Sequence, residues 1–293
     1  ISINGKFEKW LDSNMYTNIS VSPDGNYVMI TKINKPFSYL VTYRRFPTSV
    51  DIYSSDARLI SNLIDLPLIE ELPKGFMSVR TGKRNFSWRA DKPSTLTYVE
   101  ALDGGDPSKD VKYRDEVFEL NAPFADEGKT ILKTINRFRG IDWGNNNFAI
   151  AYDYWWNTRN EKTYVFNPSN IDEKVKVIVD RNYQDNYSDP GYFVSERNIY
   201  NKSIIKIYSG KAFLIGDGYT DNGQFPFVDE FDIKSLNKKR LYQSSYLDKY
   251  ESIYDFNADD NELFVRIESP IDFPNYFVKS LSGNYLTQLT SFQ

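Results

Sequence analysis

The chain has 293 residues, 40% of them hydrophobic and 26% charged, and a formal net charge of −4. It contains no cysteine and no histidine, which excludes disulfides, thiolate nucleophiles, a Ser-His-Asp triad and His-based acid–base or metal chemistry within it. Acidic and basic residues are interspersed, so no nucleic-acid partner is expected, and no apolar run approaches the roughly 20 residues of a membrane helix, so no membrane partner is expected either.

Aromatic residues make up 16% of the chain, with 22 Tyr and 20 Phe, and such residues suit pleated, half-buried surfaces. In chain order, residues 3–10 read as the closing outer hairpin of a repeat whose other half is missing. Residues 19–30 read as a β-hairpin around Pro23-Asp24-Gly25. Proline presets one turn dihedral, aspartate bonds its own backbone and glycine accepts positive φ. A further strand is predicted at residues 50–53, and Arg44 and Arg45 lie in the long insertion before it. Residues 59–72 read as a turn or short helix limited by Pro67 and Pro73.

The hairpin pattern returns at residues 86–99 and 141–152, in degenerate form at 204–215, and at 254–265. Each copy is followed by a second strand segment, at 116–120, 163–166, 230–233 and 276–279. A polar turn and a short apolar strand then follow, as at 129–134 and 286–290. Four strands per repeat at a mean period of roughly 55–60 residues is the arithmetic of propeller blades. The predicted fold is therefore all-β: a β-propeller occupying residues 1–293, with about five four-stranded blades of a seven- or eight-bladed whole. The last repeat already holds four strands, which leaves residues 3–10 no blade to complete, so the chain reads as an arc of a longer propeller. A sandwich of unrelated hairpins is the competing architecture.

Candidate substrate-binding residues are Arg44, Arg45, Arg159, Trp155 and Trp156. Arginine offers a planar, bidentate partner to a carboxylate, and the three arginines occupy equivalent loops. They read either as contacts to an acidic substrate or as ordinary ion pairs. Trp155 and Trp156 read either as an aromatic wall for a peptide or as neighbouring strand residues that pack into opposite interfaces. Trp88 and Trp143 occupy equivalent hairpin positions and are expected in the core. The acidic stretches that begin at Asp103 and Gly216 lack the spacing of a calcium loop and read as turns. No metal, cofactor or catalytic residue is predicted.

The segment Ser78-Val-Arg-Thr-Gly-Lys-Arg-Asn-Phe-Ser-Trp-Arg-Ala-Asp-Lys-Pro-Ser-Thr-Leu-Thr-Tyr-Val-Glu-Ala-Leu-Asp-Gly-Gly-Asp-Pro resembles the prolyl oligopeptidase family of serine peptidases, in its glutamyl-endopeptidase-like branch from plants and bacteria. Pro36-Phe-Ser-Tyr-Leu-Val-Thr-Tyr-Arg-Arg-Phe-Pro, Tyr154-Trp-Trp-Asn-Thr-Arg-Asn-Glu-Lys-Thr-Tyr and Glu268-Ser-Pro-Ile-Asp-Phe-Pro-Asn-Tyr-Phe support that resemblance. It implies a propeller stacked on an α/β-hydrolase domain C-terminal to residue 293, with the triad and oxyanion hole in that domain. This chain would then restrict access to the active site and contact peptide substrates, its partners being the hydrolase domain and those peptides. Similarity to exported bacterial relatives implies a periplasmic or secreted setting. Two other functions compete: a stand-alone propeller binding proteins or ligands at its rims, and a sialidase- or lactonase-type propeller hydrolase.

Overall fold

A computed structural model describes residues 4–5, 9–283 and 285–293. The chain divides into two compact units. The first comprises Ile1–Phe138, Pro168–Glu173 and Ile199–Lys202, and the second comprises the remainder.

The first unit contains two four-stranded antiparallel meanders. Sheet 1 is β1 (Met15–Val21), β2 (Tyr27–Ile33), β3 (Thr48–Ser54) and β4 (Leu59–Leu66), paired in chain order. Its first turn forms as the sequence dictates. Asp24 accepts the Asn26 N–H, Ser22 closes the turn with Tyr27, and Gly25 adopts φ +78°. Residues 59–66 are strand, which corrects the helix-or-turn expectation. Leu63 packs on the neighbouring sheet, and the strand ends at Leu66, immediately before Pro67. Sheet 2 is β5 (Arg84–Trp88), β6 (Thr95–Ala101), β7 (Asp115–Asn121) and β8 (Lys129–Thr134). The two sheets share one core, in which Met29, Val50 and Ile52 meet Leu96, Tyr98 and Leu120. Within the 3–10 expectation, residues 3 and 6–8 lie outside the described residues.

Charge is deeply buried in this unit. Arg84 pairs with Asp115, while Arg137 bonds Asp103 at 2.7 Å and Asp115 at 3.0 Å. Arg89, fully enclosed, reaches both Asp91 and Glu119, and Lys92 reaches Glu119 at 3.0 Å. Burial alone would raise the Glu119 carboxyl, but Arg89 and Lys92 hold it below its ordinary value.

The second unit contains three such sheets. Sheet 3 is β9 (Arg137–Asn145), β10 (Phe148–Trp155), β11 (Asn160–Phe166) and β12 (Lys176–Asn182). Sheet 4 begins with β13 (Tyr192–Phe193). A separate hairpin of β14 (Ser195–Arg197) and β15 (Ser203–Ile205) follows, then β16 (Lys211–Gly216), a small hairpin of β17 (Tyr219–Thr220) and β18 (Gly223–Gln224), β19 (Phe227–Asp232) and β20 (Lys238–Gln243). The degenerate fourth repeat is thereby corrected: Ile204 pairs with Glu196, and the strand that precedes β16 in the sheet is Tyr192–Phe193. Two residues are too few to display an alternating pattern in sequence.

Sheet 5 is β21 (Tyr250–Asn257), β22 (Glu262–Glu268), β23 (Asn275–Ser280) and β24 (Leu286–Gln288). Phe148, Ile150, Leu214 and Phe231 fill the space between sheets 3 and 4, and Phe213, Val228, Phe256 and Val265 that between sheets 4 and 5. Trp143 is buried and Trp88 half-buried, edge-on to Phe124, in line with the core expectation. Repeated four-stranded antiparallel meanders of this kind resemble the blades of propeller-type folds.

Candidate functional site

In the first unit, Arg44 and Arg45 lie in the connection from β2 to β3, within a single 3₁₀ turn at Tyr43–Arg45. Arg44 is exposed and makes no hydrogen bond or ion pair among the described residues. Arg45 is half-buried and donates to the Glu70 carbonyl at 3.4 Å, while its own carbonyl accepts the Ile69 N–H. The same connection is tied down by Ser38, whose hydroxyl donates to Glu70. Farther along, the Val79 N–H bonds the Gly105 carbonyl and Arg137 Nε bonds the Met77 carbonyl. The connections at residues 34–47, 67–83 and 102–114 therefore form one stitched layer. Its outward side chains include Tyr39, Leu40 and Phe76, all strongly exposed. Asp103, at the head of the acidic stretch, accepts from the Gly105 N–H, Arg114 and Arg137, which commits it to a turn and to ion pairs.

In the second unit, Trp155 closes β10 and Trp156 begins the turn to β11. Trp156 is exposed and lies outside the strand, so the two indoles do not alternate across a sheet as adjacent strand residues would. Arg159 adopts φ +56°, and its guanidinium lies 3.8 Å from the centroid of the Trp156 ring. The guanidinium also donates to the Trp156 carbonyl. The structure thus brings Arg159 and Trp156 together as a stacked cation and ring. The Arg159 carbonyl accepts the Tyr183 N–H at 2.8 Å, which anchors this turn beside a wide groove that Tyr183 helps to line.

That groove, about 740 Å³, lies between sheets 3 and 4. Opposite residues of an antiparallel pair share a face, and the register places Tyr152 opposite Thr163, Thr163 opposite Val179, and Glu161 opposite Arg181. One face of sheet 3 thereby supplies an aromatic ring, a hydroxyl and an ion pair. Sheet 4 supplies Tyr192, Ile215, Gly216 and Asp217, with Asp189, Pro190 and Gly191 from the preceding connection. Two glycines let the backbones approach. A Cβ at Gly191, which adopts φ +81°, would meet the Ile215 carbonyl oxygen at 2.2 Å, and one at Gly216 would strike the Phe227 ring at the same distance.

The groove's charges differ in how far they are engaged. Arg181 is largely buried and bonds Glu161 at 2.7 Å, Asp189 at 3.0 Å and the Asp185 carbonyl at 2.6 Å. Arg139 is about two-thirds exposed and lies 3.8 Å from Glu161, beyond direct hydrogen-bond range. Asp142 accepts the Tyr152 hydroxyl at 2.8 Å. Burial first, and then Asp142, push the Tyr152 hydroxyl far above its ordinary value. Tyr192 is raised by burial and by Asp217 and Asp255. Both phenols therefore remain protonated at neutral pH and serve as donors and ring surfaces, not as nucleophiles or bases. Among the described residues no group of three acidic, His or Cys side chains could hold a metal. The arrangement is suited to binding.

No family model matches the chain. A rice (Oryza sativa subsp. japonica) protein described as a probable glutamyl endopeptidase, chloroplastic, is 35% identical over 294 residues, covering 95% of this chain and 31% of its own length. An Arabidopsis thaliana protein of the same description is 36% identical over 262 residues, covering 87% of this chain and 27% of its own. The chain spans about a third of the length of these curated relatives, and it is a β-sheet region homologous to part of a larger peptidase-like protein. Among solved structures, the β-propeller domain of the Trilobed protease from Pyrococcus furiosus aligns with a TM-score of 0.46 and 9% identity, over 94% of this chain and 70% of its own. Prolyl oligopeptidase B from Galerina marginata aligns with a TM-score of 0.47 and 9% identity, over 94% and 35%.

Proposed function

We propose that this chain is the propeller region of a larger serine peptidase, where it restricts access to an active site carried elsewhere in the polypeptide and contributes contacts to peptide substrates. The observation that carries the reading is the similarity along 95% of the chain to a protein about three times as long that is described as a probable glutamyl endopeptidase. Two features of the molecule support it. The chain has no histidine or cysteine with which to build a nucleophilic site. The first unit's stitched layer exposes the large apolar side chains Tyr39, Leu40 and Phe76, which are available for contact with a further domain. In this reading the five sheets are blades of a seven- or eight-bladed propeller, and an α/β-hydrolase domain follows them.

Arg44, without a hydrogen-bond or ion-pair partner among the described residues, is the arginine best placed to take an acidic side chain in the first unit. In the second unit, Arg159 stacked on Trp156 is the corresponding candidate. Gating is tested in the longer protein by comparing cleavage of a short fluorogenic peptide with cleavage of an unfolded protein, before and after excision of this region. Excision should raise protein cleavage relative to peptide cleavage. An unchanged ratio would remove the gating role. Substitution of Arg44, Arg45 or Arg159 by alanine should reduce the preference for Glu over Ala substrates, and an unchanged preference in all three would remove the arginine contacts.

A further inference from the structure

The groove between sheets 3 and 4 has a floor of different chemistry from its walls. Tyr152, Thr163, Pro190 and Gly191 line both the groove and a smaller adjoining recess, whose other walls are Ile178, Val179, Phe193, Leu214, Phe231, Leu236 and Lys238. The recess offers about 50 Å³. One water needs about 10–15 Å³, so the recess holds about three or four heavy atoms, and its walls are mostly apolar, with Tyr152, Thr163 and Lys238 as the polar side chains. An apolar group of that size, alanine to valine in scale, is its fitting occupant. The groove above it is long and polar enough to take several residues of main chain, with the Thr163 side chain at the junction and Arg139 and Asp217 farther out.

We infer that the groove and recess form a peptide subsite, in which an extended segment lies along the groove and seats one small aliphatic side chain in the recess. The choice of a peptide rests on the peptidase reading above; the size and polarity of the side chain rest on the recess alone.

The test is calorimetric titration of this chain, without any further domain, with acetyl-Gly-Gly-Xaa-Gly-Gly-amide peptides in which Xaa is Gly, Ala, Val, Leu or Phe. Affinity should rise about fourfold for each carbon seated, up to Val, and fall back for Phe. Val179 is half-exposed on the outer strand β12, so its size can be changed with little demand on the core. Val179→Ala should move the optimum from Val to Leu, and Val179→Phe should bring every peptide to the level of the glycine peptide. Thermal melting by circular dichroism checks that both variants fold, and Val179→Ala carries the test if the larger ring does not fit. Equal affinity from Gly to Val, or an optimum that Val179→Ala does not move, would overturn the subsite. Because binding is read on this chain alone, graded binding survives even if the longer protein proves not to be a peptidase. A flat series beside intact peptidase activity would remove the subsite and leave the proposed function standing.

Discussion

The buried ion pairs of the first unit and the open groove of the second use the same charged side chains to opposite ends. In the first, Arg84, Arg89 and Arg137 are enclosed and matched by Asp103, Asp115 and Glu119. In the second, Arg139 lines a groove and, among the described residues, has only a distant ion-pair partner, and Asp142 and Asp217 stand exposed beside it. Enclosed charge is costly unless each partner is satisfied, so the first unit's network is structural and unavailable to a ligand. Exposed charge around a cavity costs little and remains free to engage one. An arginine's environment, rather than its presence, separates scaffold from site.

Arg137→Ala should have the largest effect on this contrast. It removes a partner from both Asp103 and Asp115 and should lower stability by about 3–5 kcal/mol, read as a fall in the urea midpoint. A loss below about 1 kcal/mol would mean that the network is dispensable. Arg181→Ala tests the groove's one enclosed cation. It leaves Glu161 and Asp189 without their arginine and should cost about 1.5–3 kcal/mol, less than Arg137→Ala because its surroundings are wetter.

Acid should separate the units next. Glu119 is depressed in the folded state, so its contribution is present above the ordinary value of 4.5 and is lost as pH falls below that value through the depressed one. Protection from hydrogen exchange in β6 and β7, corrected for the intrinsic pH dependence of amide exchange, should therefore fall below about pH 4.5, and Glu119→Gln should flatten that dependence. A pH profile unaltered by the substitution would refute the assignment. Arg139→Ala should have the smallest effect, within about 0.5 kcal/mol of the parent, since the side chain is mostly exposed and weakly paired. A larger cost would place Arg139 among the structural residues.

Much of the fold was legible in sequence. The Ser22–Tyr27 turn, the hairpin of Trp143 and Phe148 and the strands around Val117 and Val265 all follow from alternation broken by turn residues. What escaped has physical causes. The strand at Leu59–Leu66 carries no turn-flanked alternation and forms because Leu63 is buried against sheet 2. The Tyr192–Phe193 strand is too short for any periodic signal, and an inserted hairpin mimicked it. The candidate site was less legible. Arg159 and Trp156 could be paired from their spacing across one turn. Arg181, Glu161 and Tyr152 meet only through strand register, which is set by bulges and loop lengths that alternation does not encode. Arg139 lies two residues before the hairpin repeat that begins at Ile141, outside the turn and strand pattern that marks the repeats.

The most direct test of the account is hydrolysis of a fluorogenic Glu-containing peptide, measured for this chain alone and for a longer polypeptide that carries it together with the proposed catalytic domain. The account predicts turnover only by the longer protein, abolished by a serine-directed inhibitor. Turnover by the 293-residue chain itself would contradict it, since catalysis would then have to arise without histidine or cysteine.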